Sequence, residues 1–533
     1  MALVVAACLA CTTVPYLYGW SVTPPGRVFT WTPTLNGADA CTYLAHIAQV
    51  VAGRVLVDDP FTSEPHPPRL LMPQVLALGW LARGTGIGPV AAYQIGRLAS
   101  GTLLLLAGYW LACCLLPTGR QRRLALLLLA FSGGLSFYLE GGADLGLLPH
   151  RLRETADAVI PESNTFHSIH NLPHLSLSAA LMTGIFACFL EHRRRPARGW
   201  LGLIAVQALL LVLTHPWDLV PIVAVAAAMV ALEGIRRGLP TRPLAALGAV
   251  LAGAAPGGVY YAWVTATEPV YRALTRDALA VRPAWVYGGG FAPLLLLATG
   301  LVAVPGRQRR LGRLALPLLW VVAVAFFLTD AVDINGKQNR LVGGVHVALA
   351  ILAAAGLDAA LRSRPCRRLL ACFPRPGVAR AVLAGLAVLL ASPSSYALIA
   401  RQITWYDSGA WVAHYHPRAL HAAAAWLRGH AGDGDLVLAG PQAGAWLPVL
   451  SLNRTYYGHW HFTLDRARKE RALARFFFAP WAMGARKDWL RRQGIRYVLW
   501  WPGEWPLPPP PLSEPGLSER WRSAEMVLYE VGE

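Results

Sequence analysis

The chain has 533 residues, of which 55% are hydrophobic and 14% charged, with a formal net charge of +19. That balance excludes an ordinary soluble domain, because long apolar runs alternate with short arginine-rich loops in the manner of a polytopic membrane protein. Nucleic acid is excluded as the partner by where the charge sits: 119–123, 192–198, 235–242, 306–313 and 362–380 hold twenty Arg and no acid, the positive-inside signature of cytoplasmic loops.

A bilayer core of about 30 Å needs roughly 20 apolar residues per helix. On that criterion spans fall near 2–20, 88–116, 124–139, 172–190, 199–214, 217–234, 243–264, 289–305, 314–330, 341–361 and 380–400. About eleven transmembrane helices with the Arg loops inside predict a multi-pass protein of the inner (plasma) membrane. Its N-terminus is cytoplasmic and its C-terminal region extracytoplasmic. The expected organisation is an α-helical membrane domain over 1–400, with a large first outer loop at 21–87, followed by a small extracytoplasmic α/β domain over 401–533. The apolar segment 70–83 is too short to cross and is predicted to lie in the interface. The eight cysteines show neither a disulfide framework nor a zinc spacing.

The first outer loop carries the richest chemistry, in the stretch 36–70. Asp39, Tyr43 and His46 stand at i, i+4 and i+7, so a helix projects all three from one face beside an apolar stripe of Leu44, Ile47 and Val51. Asp39 suits a general base for an acceptor hydroxyl or a ligand to a divalent cation. A structural role is equally readable, since Asn36 would cap that helix and place Asp39 at its third position, where a carboxylate favours the helix N-terminus. Asp58, Asp59, Glu64 and His66 follow, either as a metal or substrate site or as the polar residues of a solvated turn. His66 precedes two prolines that fix an extended backbone, presenting His66 and Arg69 at the interface. Substrate contacts are expected from Tyr43, His46, Asp59, Glu64, His66 and Arg69.

Further along, His150, His167, His170 and His174 lie in the second outer loop, but Pro173 breaks the spacing and no thiolate joins them, so polar histidines are expected there rather than a metal site. The segment 214–218 reads as a tight outer turn between two spans. In the loop 331–340, Lys337 and Arg340 form a cationic pair suited to a phosphate at headgroup depth, or to ordinary snorkelling. The C-terminal region predicts helices at 417–428, 465–478 and 487–493 and strands at 435–439, 454–457, 495–501 and 526–531. The turn 439–444 lacks a dinucleotide fingerprint, and His459-Trp460-His461 is set aside as a site. No Walker motif or nucleophile elbow occurs.

A first span followed by a large outer loop, with Asp39 in GADACTYLAHI and then DPFTSEPHPPRLL, resembles the GT-C superfamily of polytopic glycosyltransferases, the latter being similar to the His-Pro-Pro loop of protein mannosyltransferase-like members. The segment 434–504 is similar to the outer domain of bacterial membrane proteins of this type. The resemblance implies transfer of a sugar from a polyprenyl-phosphate donor to an extracytoplasmic glycan, lipid or protein acceptor, with membrane lipids as surroundings. It implies Asp39 as the catalytic base or metal-coordinating group, and Arg340, with Lys337 beside it, as the holder of the lipid phosphate. Many members carry two adjacent acids in the first loop, whereas Asp39 stands between Ala38 and Ala40. A divalent cation, Mg or Mn, would therefore need Asp58 or Glu64 as its second carboxylate. Two other classes compete. A transporter or flippase would show ionisable groups in mid-membrane and repeat symmetry; a non-catalytic cell-envelope assembly protein would tolerate loss of Asp39.

Overall fold

The computed structural model describes residues 1–275, 282–302, 311–329, 338–407, 411–432 and 434–532. Two compact units emerge, each drawn from three stretches of chain. One comprises Met1–Val14, Gly96–Ala262 and Ala278–Arg401; the other comprises Pro15–Ile95, Trp263–Asp277 and Gln402–Glu533.

The first unit is helical. Among the described residues of the chain, seven helices are long and apolar enough to cross a membrane, from Ala2–Ser21 to Gln338–Leu361. The count rises to nine if two bent pairs are each one span. The eleven predicted segments fall on those seven, the two bent pairs, and the shorter helices Arg198–Thr214 and Ala315–Phe327. At 1.5 Å per residue these last two, of 17 and 13 residues, reach only about 25 and 20 Å.

The bends have local causes. The predicted span 124–139 breaks by 47° between Gly119–Phe131 and Ser136–Asp144, where Ser132-Gly133-Gly134 leaves the helix and the Gly133 N–H bonds instead to the Ala391 carbonyl at 2.7 Å. The predicted span 380–400 is likewise interrupted: one helix ends at Leu390 and another begins at Pro393, which has no N–H to continue the ladder.

Helix Val345–Leu361 forms the centre of this unit and is buried almost all round. Its alanines and Gly356 let neighbours approach at backbone distance; a Cβ on Gly356 would collide with the Leu297 carbonyl.

The second unit is α/β. Its sheet runs Arg454–Thr455, Leu436–Leu438, Ile495–Trp500, Val527–Val531 and Leu517–Arg522, the first three strands parallel and the last two antiparallel. The predicted helices appear as Arg418–His430, Arg466–Phe478 and Ala485–Arg492. Two elements of the five-stranded sheet and the helices around it are not expected from the sequence. Pro441–Leu450, taken as a turn, is a helix whose first N–H groups, on Gln442 and Ala443, donate to the buried Glu504 carboxylate at 3.0 and 3.1 Å. Leu517–Arg522 is a largely exposed edge strand with no apolar alternation to announce it.

Strand Arg27–Phe29 pairs antiparallel with Tyr415–Pro417. Helix Gly37–Val51 packs against Pro441–Leu450 and against Pro73–Thr85, the segment predicted to lie in the interface. That last approach is close because Gly79 has no Cβ to meet Val50.

Candidate functional site

The helix predicted around Asp39 forms as Gly37–Val51 and places Asp39 in its first turn. Asn36 occupies the N-cap position, yet its side chain makes no capping hydrogen bond. The side chains that meet Asp39 come from the C-terminal part of the same unit. The Trp460 indole Nε1–H donates to Asp39 Oδ1 at 2.9 Å, and His459 Nε2 stands 3.4 Å from the same oxygen. His459 is buried, and its Nδ1 accepts from the backbone N–H groups of His461 and Phe462 at 3.0 and 3.1 Å. With Nδ1 an acceptor, the ring proton belongs on Nε2, the nitrogen that faces Asp39. The structure thus brings His459 and Trp460, which the sequence sets aside, to the Asp39 carboxylate. Those residues follow a strand at the edge of the sheet, a weak signal that only pairing with a distant carboxylate makes specific.

Tyr43 and His46 share the face of Asp39 but are buried, and burial holds the His46 imidazole neutral by lowering its pKa to about 4. At the far end of the helix, the Gln49 amide exchanges two bonds of 3.0 Å with the backbone of Asp58, fastening the next loop to the helix. Asp58 itself pairs with Arg54 at 3.2 Å.

The loop 58–69 is therefore anchored rather than solvated. Asp59 is 2% exposed; one oxygen accepts from the Phe61 N–H at 2.9 Å, while Oδ2 is buried with no hydrogen-bond partner among the described residues. Burial pushes its carboxyl up to about 8. His66 uses both ring nitrogens: Nε2 accepts from the Asp59 N–H at 3.0 Å and Nδ1 donates to the Glu64 carbonyl at 2.8 Å. Glu64 meets the Lys469 ammonium at 2.6 Å and accepts from the Thr62 hydroxyl. Burial opposes ionisation of Glu64, but Lys469 and Thr62 outweigh it and hold its pKa below the usual value. Lys469 is fully buried, and its pKa is lowered by that burial despite the Glu64 partner. Arg454 extends the clamp by donating to the Thr62 and Glu64 carbonyls. Arg69 pairs with Glu268 and lies over the Trp263 ring at 5.1 Å, while the Tyr271 hydroxyl donates to the Pro67 carbonyl at 3.1 Å.

A divalent cation at Asp39 would need further carboxylates. Asp58 is paired with Arg54 and Glu64 with Lys469, and among the described residues no group of three or more His, Cys, Asp or Glu side chains is arranged to hold a metal. The residues present do not fit such an ion.

In the helical unit, Arg340 lies in the 3-10 segment Gln338–Val342, which packs against both Pro161–Ser163 and Pro216–Asp218. Its guanidinium is 3.5 Å from Glu162. Lys337 lies outside the described residues. In the segment 214–218, Thr214, His215 and Asp218 are buried: Asp218 accepts from the Ser178 hydroxyl and sits 3.0 Å from His215 Nδ1. The loop histidines make structural contacts, His167 with the Asp157 carbonyl at 3.2 Å and His170 with the Thr12 carbonyl at 3.1 Å.

No protein-family model and no curated protein matches this sequence. Solved structures do. ArnT from Cupriavidus metallidurans bound to undecaprenyl phosphate is 14% identical, with 99% of this chain and 97% of that one covered at a TM-score of 0.54. The archaeal oligosaccharyltransferase AglB from Archaeoglobus fulgidus, in complex with an inhibitory peptide and a dolichol-phosphate, is 15% identical over 92% of this chain and 69% of that one, at 0.52. The arabinofuranosyltransferase AftD from Mycobacteria is 15% identical over 99% of this chain and 40% of that one, at 0.54. At such identities the likeness is one of fold: this chain shares the fold of these three structures.

Proposed function

We propose that the protein is a membrane glycosyltransferase that moves a hexosyl or pentosyl group from a polyprenyl-phosphate donor to a glycan, lipid or protein acceptor outside the inner membrane. The observation that carries this reading is the likeness to ArnT across nearly the whole of both chains. It is supported by a carboxylate, Asp39, set at a helix start and faced by two ring N–H groups.

In this reaction Asp39 takes the proton of the acceptor hydroxyl. The acceptor oxygen then bonds to the anomeric carbon from the face opposite the phosphate, the carbon–phosphate-oxygen bond breaks, and the polyprenyl phosphate leaves with the bonding pair, so the configuration inverts. Trp460 and His459 orient the Asp39 carboxylate. Arg340, with Lys337 as its neighbour, balances the charge of the phosphate, for which a guanidinium fork is suited. The N-terminus is placed in the cytoplasm and the α/β unit outside by the positive-inside pattern.

The test is transfer from a polyprenyl-phosphate sugar by the full chain in proteoliposomes. Asp39→Asn is expected to lower kcat by about 10²- to 10⁴-fold, the worth of a general base, with thermal unfolding unchanged; full activity in that variant removes Asp39 from the chemistry. Arg340→Ala is expected to raise the apparent KM for the donor by about tenfold or more, as loss of a charge-assisted contact requires. An unchanged donor KM counts against the phosphate role.

A further inference from the structure

Described residues from three of the five arginine-rich loops line one cavity of the helical unit, and the proposed reaction makes no use of it. The cavity measures about 570 Å³. It is an open cleft lined by the ends of several helices: Cys114 and Leu115 close Pro89–Leu115, Leu190, Arg193 and Arg194 lie at the end of Pro173–Arg194, Glu233 lies near the end of Leu219–Arg237, and Thr241 opens Thr241–Thr267. Arg313 comes from the segment before Ala315–Phe327.

Four guanidiniums, Arg193, Arg194, Arg242 and Arg313, line it against the single carboxylate of Glu233. Glu233 is ion-paired with Arg193 and Glu191 with Arg194, so neither carboxylate neutralises Arg242 or Arg313. Arg194 is braced by Glu191 at 3.3 Å and by the Cys114 carbonyl. Arg242 is held by a 2.9 Å bond from its Nη1 to the Arg193 carbonyl. Two of the cations are thus pre-oriented by their own scaffold, which lowers the cost of ordering them around a ligand. Leu115, Leu190 and Leu239 supply apolar wall beside the charges. A cavity of drug-sized volume, net positive, set where membrane helices end and walled partly by leucine, matches the chemistry of a phosphate at headgroup depth.

We propose that this cavity binds an anionic phosphate group, presented either by a phospholipid headgroup or as free phosphate. The site lies at the arginine-loop ends of the helices, so it is separate in role from the transfer reaction and does not depend on that assignment.

The test follows thermal unfolding of the purified full chain, by its tryptophan fluorescence, in neutral detergent with three probes: dihexanoyl-phosphatidylglycerol, dihexanoyl-phosphatidylcholine and inorganic phosphate. A ligand that binds only the folded state raises the midpoint with concentration. Phosphatidylglycerol is expected to raise it and phosphatidylcholine not. A rise with inorganic phosphate as well identifies free phosphate as a sufficient ligand; a rise with phosphatidylglycerol alone identifies the lipid headgroup. Arg242→Gln/Arg313→Gln, at two exposed positions, is expected to lose at least half of that rise. Arg367→Gln/Arg375→Gln removes the same charge from exposed positions outside the cavity and is expected to keep it. Equal loss in both double variants, no loss in the first, or an equal response to phosphatidylcholine overturns the proposal.

Discussion

Asp39 and Glu64 come from one stretch of chain, and their side chains have the same relative exposure, 29%. Accessibility does not separate them; their partners do. Asp39 is met by the N–H of an indole and by the Nε2 edge of an imidazole, groups that orient a carboxylate through dipoles. Glu64 is met by the ammonium of a fully buried lysine, which commits it to an ion pair that the fold needs. A sequence window that looks like a cluster of equivalent acids thus divides into one carboxylate faced by ring N–H dipoles and one held by a buried ammonium.

Substitutions sharpen that division. The widest separation is expected between Asp39→Asn, which abolishes transfer and leaves the unfolding midpoint in place, and Glu64→Gln, which does the reverse. Removing the Glu64 charge strands Lys469, and breaking a buried pair on one side costs about 3 kcal/mol. Denaturant or thermal unfolding of the detergent-solubilised chain measures it. A Glu64→Gln protein of unchanged stability but lost activity would exchange the roles assigned here.

Asp59 gives a smaller, pH-dependent effect. Its carboxyl titrates near 8 when folded and near 4 when unfolded, so the folded state holds the proton more tightly. Its contribution to stability is then fully present below about pH 4 and declines as pH rises toward 8. Asp59→Asn keeps an oxygen for the Phe61 N–H and removes the titration. The variant is expected to lose this part of the pH dependence and to exceed the parent in midpoint above pH 8; identical pH–stability curves would show that Asp59 stays ionised.

The smallest effect is expected from Trp460→Phe. Trp460 is 40% exposed, so packing loses little, but Asp39 loses the indole donor. A several-fold fall in kcat with unchanged stability is expected, in line with about 1 kcal/mol for one hydrogen bond. An unchanged kcat would show that the indole does not orient the base.

The sequence by itself determined the membrane class and the positions of the apolar segments, because burial in lipid demands long runs that composition cannot hide. It also placed Asp39 on the first turn of a helix and recovered most of the α/β elements, since periodicity and local propensity govern both. Tertiary structure decided the rest. The Gly-Gly break is a bend in which remote backbone, the Ala391 carbonyl, takes up the freed Gly133 N–H. The helix at Pro441–Leu450 formed where a turn was expected because Glu504, far along the chain, caps it. The 58–66 loop reads as solvated, yet it is clamped by Arg454 and Lys469, and Glu64 takes its character from a lysine some 400 residues away. The same holds for His459 and Trp460, whose meaning depends on Asp39. Charge and period are local properties, whereas the environment that sets a carboxylate's chemistry is assembled from segments remote in sequence.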